Sequence, residues 1–138
     1  NSIAVVILTF NEEMHIERCI RSAQAVSDEI IVVDSFSTDN TCAIAQSMGA
    51  IVYQHKFENY ARQINWAFEN CDIRANWIWR LDADEYIEPL LASNALQALK
   101  NIAEDVNGIY VNKKIPLYAL FYSFGALCGV LRQALHLD

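Results

Sequence analysis

Apolar residues fall into two kinds of run along this chain. Ile3 to Leu8 is a nearly pure apolar stretch, short and rich in β-branching. That pattern predicts a strand buried on both faces, as in a parallel sheet. Glu29 to Val33 and Trp77 to Leu81 repeat it, and Ile51 to Tyr53 is a shorter version. Between these runs the spacing becomes helical. Ile16, Cys19, Ile20 and Ala23 share one face, with Arg18 and Arg21 turned away. Thr41, Ile44, Ala45 and Met48 mark a second helix, closed by Gly49 as a left-handed cap. A third spans Asn59 to Cys71, with Tyr60, Ile64, Ala67, Phe68 and Cys71 on its buried face. Pro89 opens a fourth, which runs through Leu96 and Leu99 to about Ala103. Asn107-Gly108 is a turn before a fifth strand ending at Asn112. Asn11 is the expected N-cap of the first helix, with Glu12 and Glu13 in its first turn.

Strict alternation of strand and helix implies an α/β fold: a doubly wound, mostly parallel sheet with right-handed crossovers, in one domain. The tail departs from the pattern. Ile115 to Leu131 carries no charge but contains Pro116, Gly125 and Gly129. It is shorter than the roughly 20 residues of a membrane-spanning helix. The open readings are a buried piece of a larger domain, a surface meeting further sequence, and a segment for membrane contact or self-association.

The composition, 54% hydrophobic, is that of a globular chain. Its formal net charge of −7 argues against nucleic acid as a partner, since no basic stripe is present to displace counterions. Cys19, Cys42, Cys71 and Cys128 form no C-x-x-C pair or zinc spacing. They read as small hydrophobes in a reducing compartment. The first residues enter a strand directly, without the pattern of a signal peptide.

Candidate chemistry gathers where strands end. The fourth strand runs into Asp82-Ala83-Asp84-Glu85. Two carboxylates so close repel unless a cation lies between them, and Mg²⁺ or Mn²⁺ suits oxygen ligands. The plain alternative is a solvated acidic turn, with Glu85 and Glu88 as first-turn acids of the next helix. Two other strands end in Thr9-Phe10-Asn11-Glu12 and in Asp34. In an open α/β sheet such ends meet on one rim where the winding reverses. On that rim Asp34 can accept a hydrogen bond from a base or ribose. Asn11 and Glu12 can bind the same nucleoside, with Phe10 or Phe36 packing on the base. Asp82 and Asp84 can hold a metal bridging two phosphates. Arg62 can add a cation, or be a solvated helix arginine. His15, His55 and His136 are scattered and read as structural or surface residues. Dinucleotide, P-loop and nucleophile-elbow glycine patterns are absent from the sequence.

Four ordered stretches carry a resemblance. They are Val5-Val6-Ile7-Leu8-Thr9-Phe10-Asn11-Glu12, Ile31 to Thr41, Ala61-Arg62-Gln63, and Leu81-Asp82-Ala83-Asp84-Glu85. Together, over residues 3 to about 112, they resemble family 2 glycosyltransferases of the GT-A fold. The resemblance implies a Rossmann-like nucleotide-sugar-binding domain and sugar transfer with inversion. The donor it implies is a nucleotide sugar, UDP-linked most often, bound with Mg²⁺ or Mn²⁺. It places Thr9, Asn11 and Glu12 at the nucleoside, Asp34 at the base, and Asp82 and Asp84 at the ribose and metal. Arg62 matches the arginine of the family's Ala-Arg-Asn stretch, with Gln63 replacing the asparagine.

Ser35 and Phe36, where the family has Asp and Gly, look like the bacterial branch that builds lipopolysaccharide core and surface glycans. A glycan or glycolipid acceptor follows, at the inner face of the cytoplasmic membrane. The family's general base lies in an acidic motif well after the D-x-D, and none occurs from Asn112 to Leu137. The expectation is therefore a donor-binding core over 1–112, followed by 113–138 as the start of an acceptor half. Two rivals remain. One is a non-catalytic module that associates through 115–131. The other is a haloacid-dehalogenase-type phosphotransferase, whose D-x-D sits on the first strand and continues to Thr or Val rather than Glu85-Tyr86.

Overall fold

The computed structural model describes residues 2–112 and 118–123. In chain order the elements are β1 (Ile3–Thr9), α1 (Ile16–Ala23), β2 (Glu29–Asp34), α2 (Thr41–Ser47) and β3 (Ile51–Gln54). There follow α3 (Tyr60–Asn70), β4 (Trp77–Asp82), α4 (Pro89–Lys100), β5 (Gly108–Asn112) and β6 (Tyr118–Ser123). The strands form one sheet in the order β3-β2-β1-β4-β6-β5. The first four are parallel, and β6 runs antiparallel between β4 and β5.

Winding starts at β1, moves out through β2 to β3, and returns to the other side of β1 at β4. With crossovers of one hand, that reversal puts α3 on the opposite face from α1 and α2. The core divides accordingly. Ile3, Val5 and Ile7 of β1, with Val32, Trp79 and Leu81, pack under Ile16, Cys19 and Ile20 of α1, Ala45 of α2, and Ala92 and Leu99 of α4. The alternate residues Val6, Leu8, Ile31, Val33 and Ile78 pack under Ile64 and Ala67 of α3 and Cys71 just after it. All of β1 is buried because both its faces are covered, which is why the period of two was invisible in its sequence.

Four details differ from expectation. Asn11 does not cap α1; His15 occupies that position, and the Glu12 carbonyl accepts from the His15 and Ile16 amides at 3.0 and 2.9 Å. Asn11 is instead in the left-handed region, φ 49°, with its side chain turned to a neighbouring loop. Tyr60 is exposed rather than buried, because it begins α3, where the first turn opens on the cleft instead of the core. Helix α4 stops at Lys100, short of Ala103. The apolar tail supplies β6, which pairs on both sides and fills the flank of β4. The rest of the tail, 113–117 and 124–138, lies outside the described residues. Gly49, at φ 89°, ends α2 as expected.

Ile64 is fully buried and central to the α3 face. Ile64→Ala should lower the unfolding free energy by about 2–5 kcal/mol, measured by urea denaturation.

Candidate functional site

Reversal of the winding leaves a cleft of about 570 Å³ over the carboxyl ends of the strands. Leu8 and Thr9 of β1 form part of it, with Phe10 and Glu12 just beyond. The loop after β2 contributes Ser35 and Phe36. Lys56 and Phe57 come from the loop after β3, and Tyr60 and Gln63 from the start of α3. Asp82, Ala83 and Asp84 come from the end of β4.

Beneath the cleft lies Asp34. Register pairs it with Thr9, and the Thr9 hydroxyl donates to its Oδ1 at 2.6 Å. The Ser37 hydroxyl donates to the same oxygen at 2.5 Å, and the Ser37 amide to Oδ2 at 2.8 Å. Burial pushes the Asp34 carboxyl up, but these hydrogen bonds from Ser37 and Thr9 outweigh it and hold it below its ordinary 3.8. The buried carboxylate is therefore charged, and it fixes both neighbouring loops.

Those loops are tied further. The Asn11 amide donates to Ser37 Oγ at 2.8 Å, and Asn11 Oδ1 accepts from the Thr38 amide at 2.8 Å. The Glu12 amide donates to Thr41 Oγ1 at 2.9 Å. Phe36 stands at φ 58°, a strained conformation for a bulky residue, with its amide bonded to Gln54 Oε1 at 2.9 Å. That geometry leaves its ring exposed at the cleft.

On the far side, buried Gln63 braces α3 against the loops after β2 and β3. Its amide nitrogen donates to Ser35 Oγ at 3.1 Å and to the His55 carbonyl at 3.0 Å. Its Oε1 then faces His55 Nδ1 at 2.7 Å, so that nitrogen carries the proton. The His55 ring stacks on Trp66 at 4.3 Å, a structural role as expected.

Carboxylate oxygens of Asp82, Asp84 and Glu85 lie within 4.8 Å of one another. Glu85 Oε1 also accepts from the Asp82 amide at 3.2 Å. This all-oxygen donor set fits a hard divalent cation. Glu12 stands near enough to feel it. Burial first, then the negative charge of Asp84, raises its carboxyl above the ordinary 4.5. Arg80 approaches Asp82 at 3.8 Å and also lies over the Tyr60 ring, 5.8 Å from its centroid. Helix α1 meets the back of the acidic loop. Arg18 donates to the Asp84 carbonyl at 3.3 Å and lies over the Tyr86 ring at 4.8 Å. The Cys19 thiol donates to the Asp82 carbonyl at 3.5 Å, and Ser22 Oγ accepts from the Ile87 amide at 2.9 Å. Burial, then the charges of Glu85, Asp82 and Asp84, pushes the Cys19 thiol far up, so it keeps its donor hydrogen.

Glycosyl transferase family 2 matches residues 4–117. The chain belongs to this family. It is 34% identical to the lipopolysaccharide core biosynthesis glycosyltransferase LpsC of Rhizobium meliloti over 126 residues, 88% of this chain and 45% of that protein. An uncharacterized glycosyltransferase of Rickettsia bellii is 45% identical over 83 residues, 60% of this chain and 28% of that one. The chain thus spans less than half the length of these relatives. Its fold matches glucosyl-3-phosphoglycerate synthase of Mycobacterium tuberculosis in complex with UDP, with a TM-score of 0.68 and 20% identity over 88% of this chain and 56% of that one. The same synthase has been crystallised with Mn²⁺ and UDP, and with Mg²⁺ and UDP.

Within this family 2 chain, Thr9, Phe10, Glu12, Asp82 and Asp84 share the cleft. Asp34 lies below it with its oxygens already engaged, and Asn11 stands outside the lining, bridging loops. Arg62 is also outside the lining, exposed and paired with Glu58. Lys56 is the cation among the lining residues, and sequence reasoning missed it because it belongs to no motif. Gln63 carried a signal: a polar side chain on the same helical face as Ile64 and Ala67 needs internal partners.

Asp34→Asn should lower stability by about 1–3 kcal/mol at pH 7, by urea denaturation. A native pKa below 3.8 means the carboxylate's contribution is present above that value and lost as pH falls through the native one. The gap between wild type and variant should therefore narrow in acid. Phe36→Gly should raise stability by up to about 1 kcal/mol, relieved left-handed strain exceeding the entropy of the glycine, in the same assay.

Proposed function

We propose that the chain is the donor-binding part of an inverting glycosyltransferase that takes a UDP-linked sugar and serves an envelope-glycan or lipopolysaccharide-core acceptor. The observation that carries this reading is the single cleft that joins the ends of β1, β2 and β4, with Asp82 and Asp84 at one side and exposed aromatics around it. The name of LpsC supports the acceptor class. The synthase crystallised with UDP supports the nucleotide.

In this reading Phe10 and Phe36 pack on the base. Thr9 and Glu12 hold the nucleoside, with Asp34 fixing Thr9 from below. Asp82 and Asp84, backed by Glu85, hold Mg²⁺ or Mn²⁺. When bound, the ion supplies positive charge to offset the departing diphosphate. Lys56 adds a cation from the opposite side of the cleft. Arg62 can join by releasing Glu58, since an exposed pair holds weakly. The acceptor hydroxyl needs a carboxylate base, to which this reading assigns no residue. The site of action is the cytoplasmic face of the membrane. No helix among the described residues is long and apolar enough to cross it.

Calorimetry with UDP should show binding that depends on Mn²⁺ and is abolished in both Asp82→Ala and Asp84→Ala. Unchanged affinity in both variants would overturn the assignment.

A further inference from the structure

Helix α1 lines none of the cleft, yet one of its faces holds the acidic loop from behind. Arg18, Cys19 and Ser22 stand on adjacent turns of that face. Each meets a backbone atom of the segment from Asp82 to Ile87: the Asp84 carbonyl, the Asp82 carbonyl and the Ile87 amide. The Ser22 hydroxyl is itself aimed, because it donates to the Cys19 carbonyl at 2.8 Å and so presents a lone pair to Ile87. Arg18 makes two contacts, one with the Asp84 carbonyl and one with the Tyr86 ring, which straddle Glu85. The turn is also closed within itself: the Glu85 amide donates to the Asp82 carbonyl at 3.0 Å, and the Glu85 carboxylate accepts from the Asp82 amide.

We infer that Arg18 and Ser22 are positioning residues for the cation site, setting the separation of the Asp82 and Asp84 carboxylates by fixing the backbone that carries them. The inference rests on the proposed donor site and names part of its control. It has a sign that plain electrostatics does not share. Arg18 is a positive charge beside a cation site, so its removal should tighten metal binding if charge alone matters. If Arg18 acts by holding the loop, removal should weaken binding, as loss of outer-shell partners does.

The test is Mn²⁺ titration in the presence of UDP, by calorimetry and by Mn²⁺ paramagnetic resonance, on wild type, Arg18→Met, Arg18→Lys and Ser22→Ala. Expected is about tenfold weaker Mn²⁺ binding in Arg18→Met, a loss in the same direction in Ser22→Ala, and partial recovery in Arg18→Lys. Ser22→Ala changes no charge, and Arg18 is exposed, so both variants should fold. Thermal unfolding checks this. Equal or tighter Mn²⁺ binding in Arg18→Met overturns the inference and leaves the donor site standing. Absence of Mn²⁺ and UDP binding in wild type overturns the donor-site reading itself.

Discussion

A buried carboxylate with no ion-pair partner among the described residues must be satisfied by hydrogen bonds, and Asp34 shows how much structure that demand organises. Its oxygens draw in the Thr9 hydroxyl from the neighbouring strand and both donors of Ser37 from its own loop. Its backbone carbonyl accepts from the His55 amide at 2.9 Å, tying in the third strand end. Each partner is then committed elsewhere. Ser37 also receives the Asn11 amide, and His55 is locked through Gln63. The cleft walls are thus held by a polar network whose centre is buried. Half-satisfied, such a network costs more than an apolar core, so its members stand or fall together.

The other side of the cleft works by the opposite means. Asp82, Asp84 and Glu85 gather negative charge at an accessible place, and the protein offsets it only in part. Arg80 sits at 3.8 Å from one carboxylate, too far for a strong paired contact. Glu12, raised first by its own burial, also feels the charge of Asp84. One wall is electrostatically complete and the other is left wanting positive charge. In the proposed reading, a diphosphate with a divalent cation would bring both signs to this asymmetry.

Much of the fold was readable because each parallel strand is a short apolar run and each helix an amphipathic one. The strand ends could be grouped on one rim from the winding rule alone. What escaped had particular causes. Asn11 looks like an N-cap because caps and left-handed loop residues draw on the same residue types. Tyr60 fits the apolar period of α3, but the helix's first turn opens on the cleft, and periodicity carries no information about that. β6 was hidden in an uncharged segment whose antiparallel pairing depends on a partner far away in sequence. Lys56 lies on an unpatterned loop, and the Arg18–Ser22 face of α1 meets backbone atoms, neither of which any motif encodes. Arg62 matches a family position, yet its side chain turns to Glu58.

The direction of β6 has a consequence for the path of the chain. Because Ser123 pairs with Trp77, at the start of β4, the described part of β6 exits at the end of the sheet remote from the cleft. Six extended residues, about 20 Å of travel, separate that exit from the level of Asp82. Ser123 and the acidic loop therefore mark opposite ends of the same sheet, joined through the full length of β4.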